Sequence, residues 1–243
     1  MADVAVNAPS LARRMKLSIK RRVQSLRKGQ DAIVVASFGR AGSTLIYTAV
    51  TEAMASAQYG RCTRLTRRLS QDDDFDLPPT KFRSGVVYKT HDYPTFLDSP
   101  GGIRGIFLFG SALDAALSVH AQKDLRGEDW VQRHFDHLRR PYRYDDIFKE
   151  DVLGFREQCI SWMGCDKVPI LCLRYEDLWD NVDQISKFCG VEVTLPERRA
   201  RKSKDVPSEN MLATQQVYGP IDAALARLPG AFIAAPKYAD MMR

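Results

Sequence analysis

The chain has 243 residues, 44% of them apolar and 27% charged, which is enough for one α/β domain with a full core and short for two. Its formal charge of +6 sits at one end: residues 1–30 hold eight Lys and Arg against Asp3, a net +7, so the remainder sums to +6 − 7 = −1. A near-neutral body argues against a nucleic-acid-binding domain, and no window carries the long uncharged apolar run of a membrane span.

The leader, residues 1–30, places Leu11, Met15, Ile19, Val23 and Leu26 on one helical stripe, with basic residues on its other faces. A basic amphipathic helix over residues 11–28 either makes peripheral contact with an anionic membrane surface, packs on the domain or extends as a solvated arm. The narrow stripe, without Trp or Phe, favours the last two. An Arg-rich, acid-poor leader is also the composition of a transit peptide, and no apolar h-region of a secretory signal is present. Cys62, Cys159, Cys165, Cys172 and Cys189 are odd in number and show no C-x-x-C spacing. Free thiols in a reducing, cytoplasmic setting are expected, without zinc or redox use.

Ile33 to Ala36 form a short run of β-branched and small apolar residues, which predicts a buried strand. Gly39, Arg40, Ala41, Gly42, Ser43 and Thr44 follow, and then the helical pattern Leu45, Ile46, Ala49, Val50, ending near Ala57. Strand, glycine-containing turn and helix start make an anion site: backbone N–H groups converge on it, the helix dipole favours negative charge, and Arg40, Ser43 and Thr44 add donors. The loop is P-loop-like in layout, but Ser37 and Ser43 stand where a Walker A loop needs Gly and Lys. Residues 61–82 read as a polar segment with a basic patch (Arg64, Arg67, Arg68) and an acidic stretch (Asp72, Asp73, Asp74, Asp76). That stretch is either a solvated loop or a lip that selects a cationic acceptor.

Val86–Tyr88 predict a second strand running into Lys89, Thr90 and His91; Ile106–Phe109 a third, ending at Gly110; and Ile170–Leu173 a fourth, leading into Arg174, Tyr175 and Glu176. Helices are expected after the third strand (Leu113 to His120), across 128–163 with a break at Pro141, and after the fourth strand to about Cys189. Alternating strands and helices predict an α/β fold with a mostly parallel sheet and helices on both faces. Ligands in such sheets sit beyond the carboxyl ends of the strands, the edge that carries Arg40, Lys89, His91, Gly110 and Tyr175. His91 is suited to accept a proton near neutrality, and Lys89 to stabilise charge on a leaving oxygen. His120, His134 and His137 fall in helical stretches and read as structural.

The stretch FGRAGSTL resembles the 5′-phosphosulfate-binding loop of sulfotransferases that use 3′-phosphoadenosine 5′-phosphosulfate (PAPS), in the form seen in carbohydrate sulfotransferases. VVYKTHDYP is similar to the K-T-H segment of the cytosolic members, GIFLFGSALDAALSVH to the 3′-phosphate strand and helix (R-x-P-x-D-x-x-x-S), and LCLRYEDLWDN to the Y-E-D-L strand end. The anchors span residues 32 to 181 in the family's order. The resemblance implies a single sulfotransferase-type domain over 31–243 that moves a sulfuryl group from PAPS to a hydroxyl or amine of a small-molecule or glycan acceptor. PAP (adenosine 3′,5′-bisphosphate) would be the product, and no metal would be required. It implies a catalytic role for His91, the general base, with Lys89 and Arg40. It also implies donor contacts from Arg40, Ala41, Gly42, Ser43, Thr44 and Leu45, from Ser118 at the 3′-phosphate, and from Tyr175 at the adenine.

The chain departs from that pattern at Gly110, where the family has its 3′-phosphate arginine, and at Ala112, where it has proline. Arg201 and Lys202, loosely matching a late R-K-G segment, or Arg104, are the cations available to substitute. The family's adenine-stacking tryptophan falls on Leu45. Two alternatives are a catalytically silent adenosine-phosphate-binding or membrane-surface scaffold and another nucleotide-dependent phosphotransferase. The acceptor pocket is expected from residues 59–82 and 121–149, which include Phe75, Trp130, Phe135, Tyr142 and Tyr144.

Overall fold

The computed structural model describes residues 29–72, 82–97, 102–198 and 208–243. The basic leader, the acidic residues Asp73, Asp74 and Asp76, and Arg201 and Lys202 lie outside them. The fold is α/β, built on a six-stranded, mostly parallel sheet. Its strands are β1 (Ala32–Ser37), β2 (Gln71–Asp72), β3 (Val87–Thr90), β4 (Ile103–Phe109), β5 (Ile170–Arg174) and β6 (Ala231–Ile233), in the order β2-β3-β1-β4-β5-β6.

Every residue of β1 is buried. Successive strand side chains point to opposite faces, so both faces of the sheet are covered at its centre. β1 pairs in parallel with β3 on one side (Val35 opposite Lys89, Ala36 opposite Thr90) and with β4 on the other (Val35 opposite Ile106, Ser37 opposite Leu108). The chain thus leaves β1 toward β2 and β3, then crosses to β4 on the far side. Such a reversal opens a crevice at the carboxyl ends of the strands.

The four strands anticipated from apolar runs are present, each shifted or extended by one to a few residues. Two edge strands were not anticipated. β2 pairs in parallel with β3 through Gln71 and Asp72, and β6 pairs antiparallel with β5 through Ala231, Phe232 and Ile233. The polar segment 61–82 also contains a short helix, at its basic patch.

The helices are α1 (Ser43–Tyr59), α2 (Arg64–Leu69), α3 (Ala112–Arg126), α4 (Glu128–His137), α5 (Phe155–Met163), α6 (Val182–Cys189), α7 (Ser208–Ala226) and α8 (Pro236–Asp240). α1 buries Ile46, Val50 and Met54 and packs on β1 and β3. The start of α3 is capped twice. Ser111 Oγ accepts from the Asp114 amide, and the Asp222 carboxylate of α7 accepts from Ser111 Oγ, the Ala112 amide and the Leu113 amide. Those contacts satisfy amides that the helix itself cannot pair and fasten α7 to it. In the core, Phe107 of β4 stacks on Trp162 of α5 with centroids 5.7 Å apart and planes 4° from parallel, and Phe38 and Phe155 lie alongside. All five cysteines are free. Among the described residues no helix is long and apolar enough to cross a membrane.

Candidate functional site

The turn between β1 and α1 holds three residues with positive φ, Gly39, Arg40 and Gly42. Gly42, which caps α1, has φ +81°, and the ring of Tyr175 lies where its side chain would be: a Cβ there would stand 2.3 Å from Tyr175 Cδ2. Glycine is therefore needed both for the left-handed turn and for the close approach of an aromatic ring from the end of β5. Arg40 is also left-handed, at φ 55°, a conformation that costs a non-glycine residue roughly 1–2 kcal/mol. Its Nε donates to Ser118 Oγ of α3 at 2.8 Å. The strain is thus held by a contact that spans the crevice.

Lys89 leaves β3 beside this turn and donates from Nζ to Thr44 Oγ1 at 2.8 Å. Burial, and then the neighbouring Arg40, lower its pKa below the ordinary lysine value. His91 follows the last residue of β3 and is buried. Its Nδ1 lies 2.9 Å from the Ser37 carbonyl oxygen, which can only accept, so Nδ1 carries the proton and Nε2 is left as the ring's acceptor. Burial is the main cause of a pKa lowered to about 4, with the positive charge of Lys89 adding to it. The imidazole is neutral at pH 7.

The backbone behind His91 is fixed from α5. Gln158 Nε2 donates to the His91 carbonyl at 2.6 Å, and Trp162 Nε1, one turn further on, donates to the Asp92 carbonyl at 3.0 Å. On the outer side Arg139 Nε holds the Asp92 carboxylate at 2.8 Å. A loop that would otherwise be free to shift is tied to the core and to the surface at once.

These residues share one cavity of about 530 Å³, walled on one side by Arg40, Gly42, Ser43, Thr44, Lys89 and Tyr175, with His91 at its base. The opposite wall comes from the end of α3 and from α4: Arg126, Trp130, Arg133, His134 and His137. His134 and His137, read from the sequence as structural, both line the cavity. His134 is buried, its ring centroid lies 6.0 Å from that of His91, and it stacks on Trp130 at 5.2 Å. It also covers the loop, since a Cβ on Gly39 would sit 2.8 Å from His134 Cε1. Burial first, and then the charges around it, lower its pKa to about 3. Comparison with models of known protein families and with curated proteins gives no match.

The other expected residues fall as follows. Ala41 is buried in the core, Leu45 packs against it, and neither lines the cavity. Ser118 does not line it either, and adjoins it through Arg40. Arg104 lies at the amino end of β4, where it pairs with Asp31 at 2.6 Å and donates to the Phe188 carbonyl. That is the far edge of the sheet, so Arg104 cannot serve the crevice. At Gly110 the nearest charge is negative: both Glu176 carboxylate oxygens lie 3.5 Å from the position of a Cβ. Of the two segments expected to form an acceptor pocket, 121–149 contributes lining residues, but of its expected aromatics only Trp130 is among them: Phe135 and Tyr144 are buried in the core and Tyr142 packs against it. Arg64, Arg67, Arg68, Gln71, Asp72 and Arg83 line a separate depression. Among the described residues no group of His, Cys, Asp and Glu could hold a metal ion.

Proposed function

We propose that this chain is a PAPS-dependent sulfotransferase of the P-loop-like α/β type, with His91 as general base. The observation that carries the reading is the convergence of Arg40, Ser43, Thr44, Lys89, His91 and Tyr175 on one cavity beyond the carboxyl ends of β1, β3 and β5. The amino end of α1, Arg40 and Lys89 suit the phosphosulfate end of the donor, which carries charge on its phosphate and on its sulfate. Arg40 also donates to Ser118, the residue expected at the 3′-phosphate. Tyr175, packed on Gly42, offers the ring expected at the adenine.

In the proposed step His91 Nε2 takes the proton of the acceptor hydroxyl. The acceptor oxygen bonds to sulfur as the bond from sulfur to the bridging oxygen breaks, and the electron pair stays on the 5′-phosphate, where Lys89, Arg40 and the loop amides stabilise it. A histidine already neutral at pH 7 is in the form this role needs.

One observation favours the silent binder instead. Glu176 beside Gly110 is unfavourable to a dianionic 3′-phosphate. Calorimetry with PAP and with 5′-AMP separates the two readings. The sulfotransferase reading expects a clear preference for the bisphosphate, and His91→Ala should retain binding while losing turnover with PAPS. Equal binding of the two nucleotides, or none, would remove the donor assignment.

A further inference from the structure

The cavity draws its positive charge from two parts of the fold. Arg40 and Lys89 stand at the loop, Arg126 and Arg133 stand on the opposite wall, and no Asp or Glu is among the lining residues. Of the three acids of α4, Glu128 pairs with Lys123 at 3.0 Å and Asp136 accepts from Gln132, while Asp129, four residues before Arg133, is not among the lining residues. Arg133 makes no ion pair or hydrogen bond with any other described residue. Arg126 rests its guanidinium carbon 5.6 Å from the Trp130 ring centroid, a cation–π contact that orients the group without neutralising it.

Helical spacing explains the wall. Trp130, Arg133, His134 and His137 recur at three- to four-residue steps on α4 and so share the face that closes the cavity. Arg126 ends α3 just before Gly127 and adds a second guanidinium to the same side. Two permanent cations lining the same cavity as the imidazole, with no acid among the lining residues, are suited to a ligand with a negative charge of its own.

We propose that the acceptor is anionic: a carboxylate, phosphate or sulfate on it is held by Arg126 and Arg133 while its hydroxyl meets His91. The inference rests on the sulfotransferase reading for the word acceptor, and on the arginine wall alone for the anion. Of the two readings of the acidic stretch near Asp72, it runs against the lip for a cationic acceptor and leaves the solvated loop untouched.

Two matched pairs test it, each an acid and its uncharged amide: 4-hydroxyphenylacetate with 4-hydroxyphenylacetamide, and glucuronate with glucuronamide. Each is titrated by calorimetry into protein saturated with PAP. The charged member of at least one pair should bind about tenfold or more tighter than its amide. R126Q/R133Q should lose that preference while PAP affinity stays within about threefold. Both arginines are exposed, so the substitutions leave the core untouched.

Equal binding of acid and amide in both pairs, or no binding of either acid, overturns the proposal. So does a charge preference that survives in the double variant. An approximately tenfold loss of PAP affinity in R126Q/R133Q would assign the arginines to the donor and also overturn it. If PAP fails to bind the unaltered protein, the donor reading falls. The same acid–amide comparison without nucleotide then decides whether the anion site stands.

Discussion

His91 and His134 make the protein sensitive to acid in a way that can be calculated. Their folded values, about 4 and about 3, lie below the ordinary 6.5, chiefly because both rings are buried. As pH falls below 6.5 the unfolded chain takes up protons that the folded chain refuses, so stability is present above that pH and is lost on acidification. At pH 5 each unfolded histidine is favoured by about 1.5 log units, or about 2 kcal/mol, and the pair by about 4 kcal/mol. Against a typical total of roughly 5–15 kcal/mol that is a large share. Urea unfolding at pH 7.5 and pH 5 measures the loss. Because Asp151 and Asp222 have raised values and act in the opposite direction, the decisive comparison is His134→Gln, which should lose about 2 kcal/mol less than the unaltered chain over this interval. Equal losses in the two proteins, or a His134 ring that titrates near 6.5 by NMR, would refute the reasoning.

Gly42→Ala should be the most damaging single-methyl change in the loop. It adds roughly 1 kcal/mol or more of backbone strain at φ +81° and drives a Cβ into Tyr175, so PAP affinity should fall by more than about tenfold in calorimetry. Gln158→Leu leaves the buried His91 carbonyl unpaired, at a cost of about 1–3 kcal/mol in urea unfolding, and turnover should fall more than donor affinity. Ser118→Ala removes the partner of Arg40. The preference for PAP over 5′-AMP should shrink by about tenfold while 5′-AMP affinity holds, and an unchanged ratio would mean that Ser118 does not read the 3′-phosphate.

The central strands and the loop were legible because they depend on local pattern: apolar runs of three or four residues, glycines in a turn, and hydroxyls at a helix start. β2 and β6 were not, because Gln71–Asp72 is polar and two residues long and Ala231–Ile233 is barely longer. Each becomes a strand only by pairing with a neighbour formed far away in the chain. Arg104 could be placed on a strand but not at a particular end of it, and its end decides whether it meets a ligand. The Arg40–Ser118 contact joins positions 78 apart and left no local trace. The histidines of α4 could have been found. Trp130, Arg133, His134 and His137 share a helical face, and an aromatic, cationic stripe on a helix that opens with Glu128 and Asp129 is a poor core face and a good cavity wall.

The low basicity of His91 and the cationic cavity are two aspects of one arrangement. Burial does most of the lowering, and Lys89 adds to it. An anion bound against Arg40 and Lys89 would offset the second contribution and leave the first, so the imidazole would become a stronger base when the cavity is loaded. Linkage makes the effect reciprocal: whatever raises the proton affinity of His91 is bound more tightly when His91 is protonated. The histidine stands beside an ammonium that burial and Arg40 make easier to deprotonate. Negative charge bound there raises the basicity of both groups. Under the proposed reaction the donor brings that charge, so the base gains strength as the donor binds.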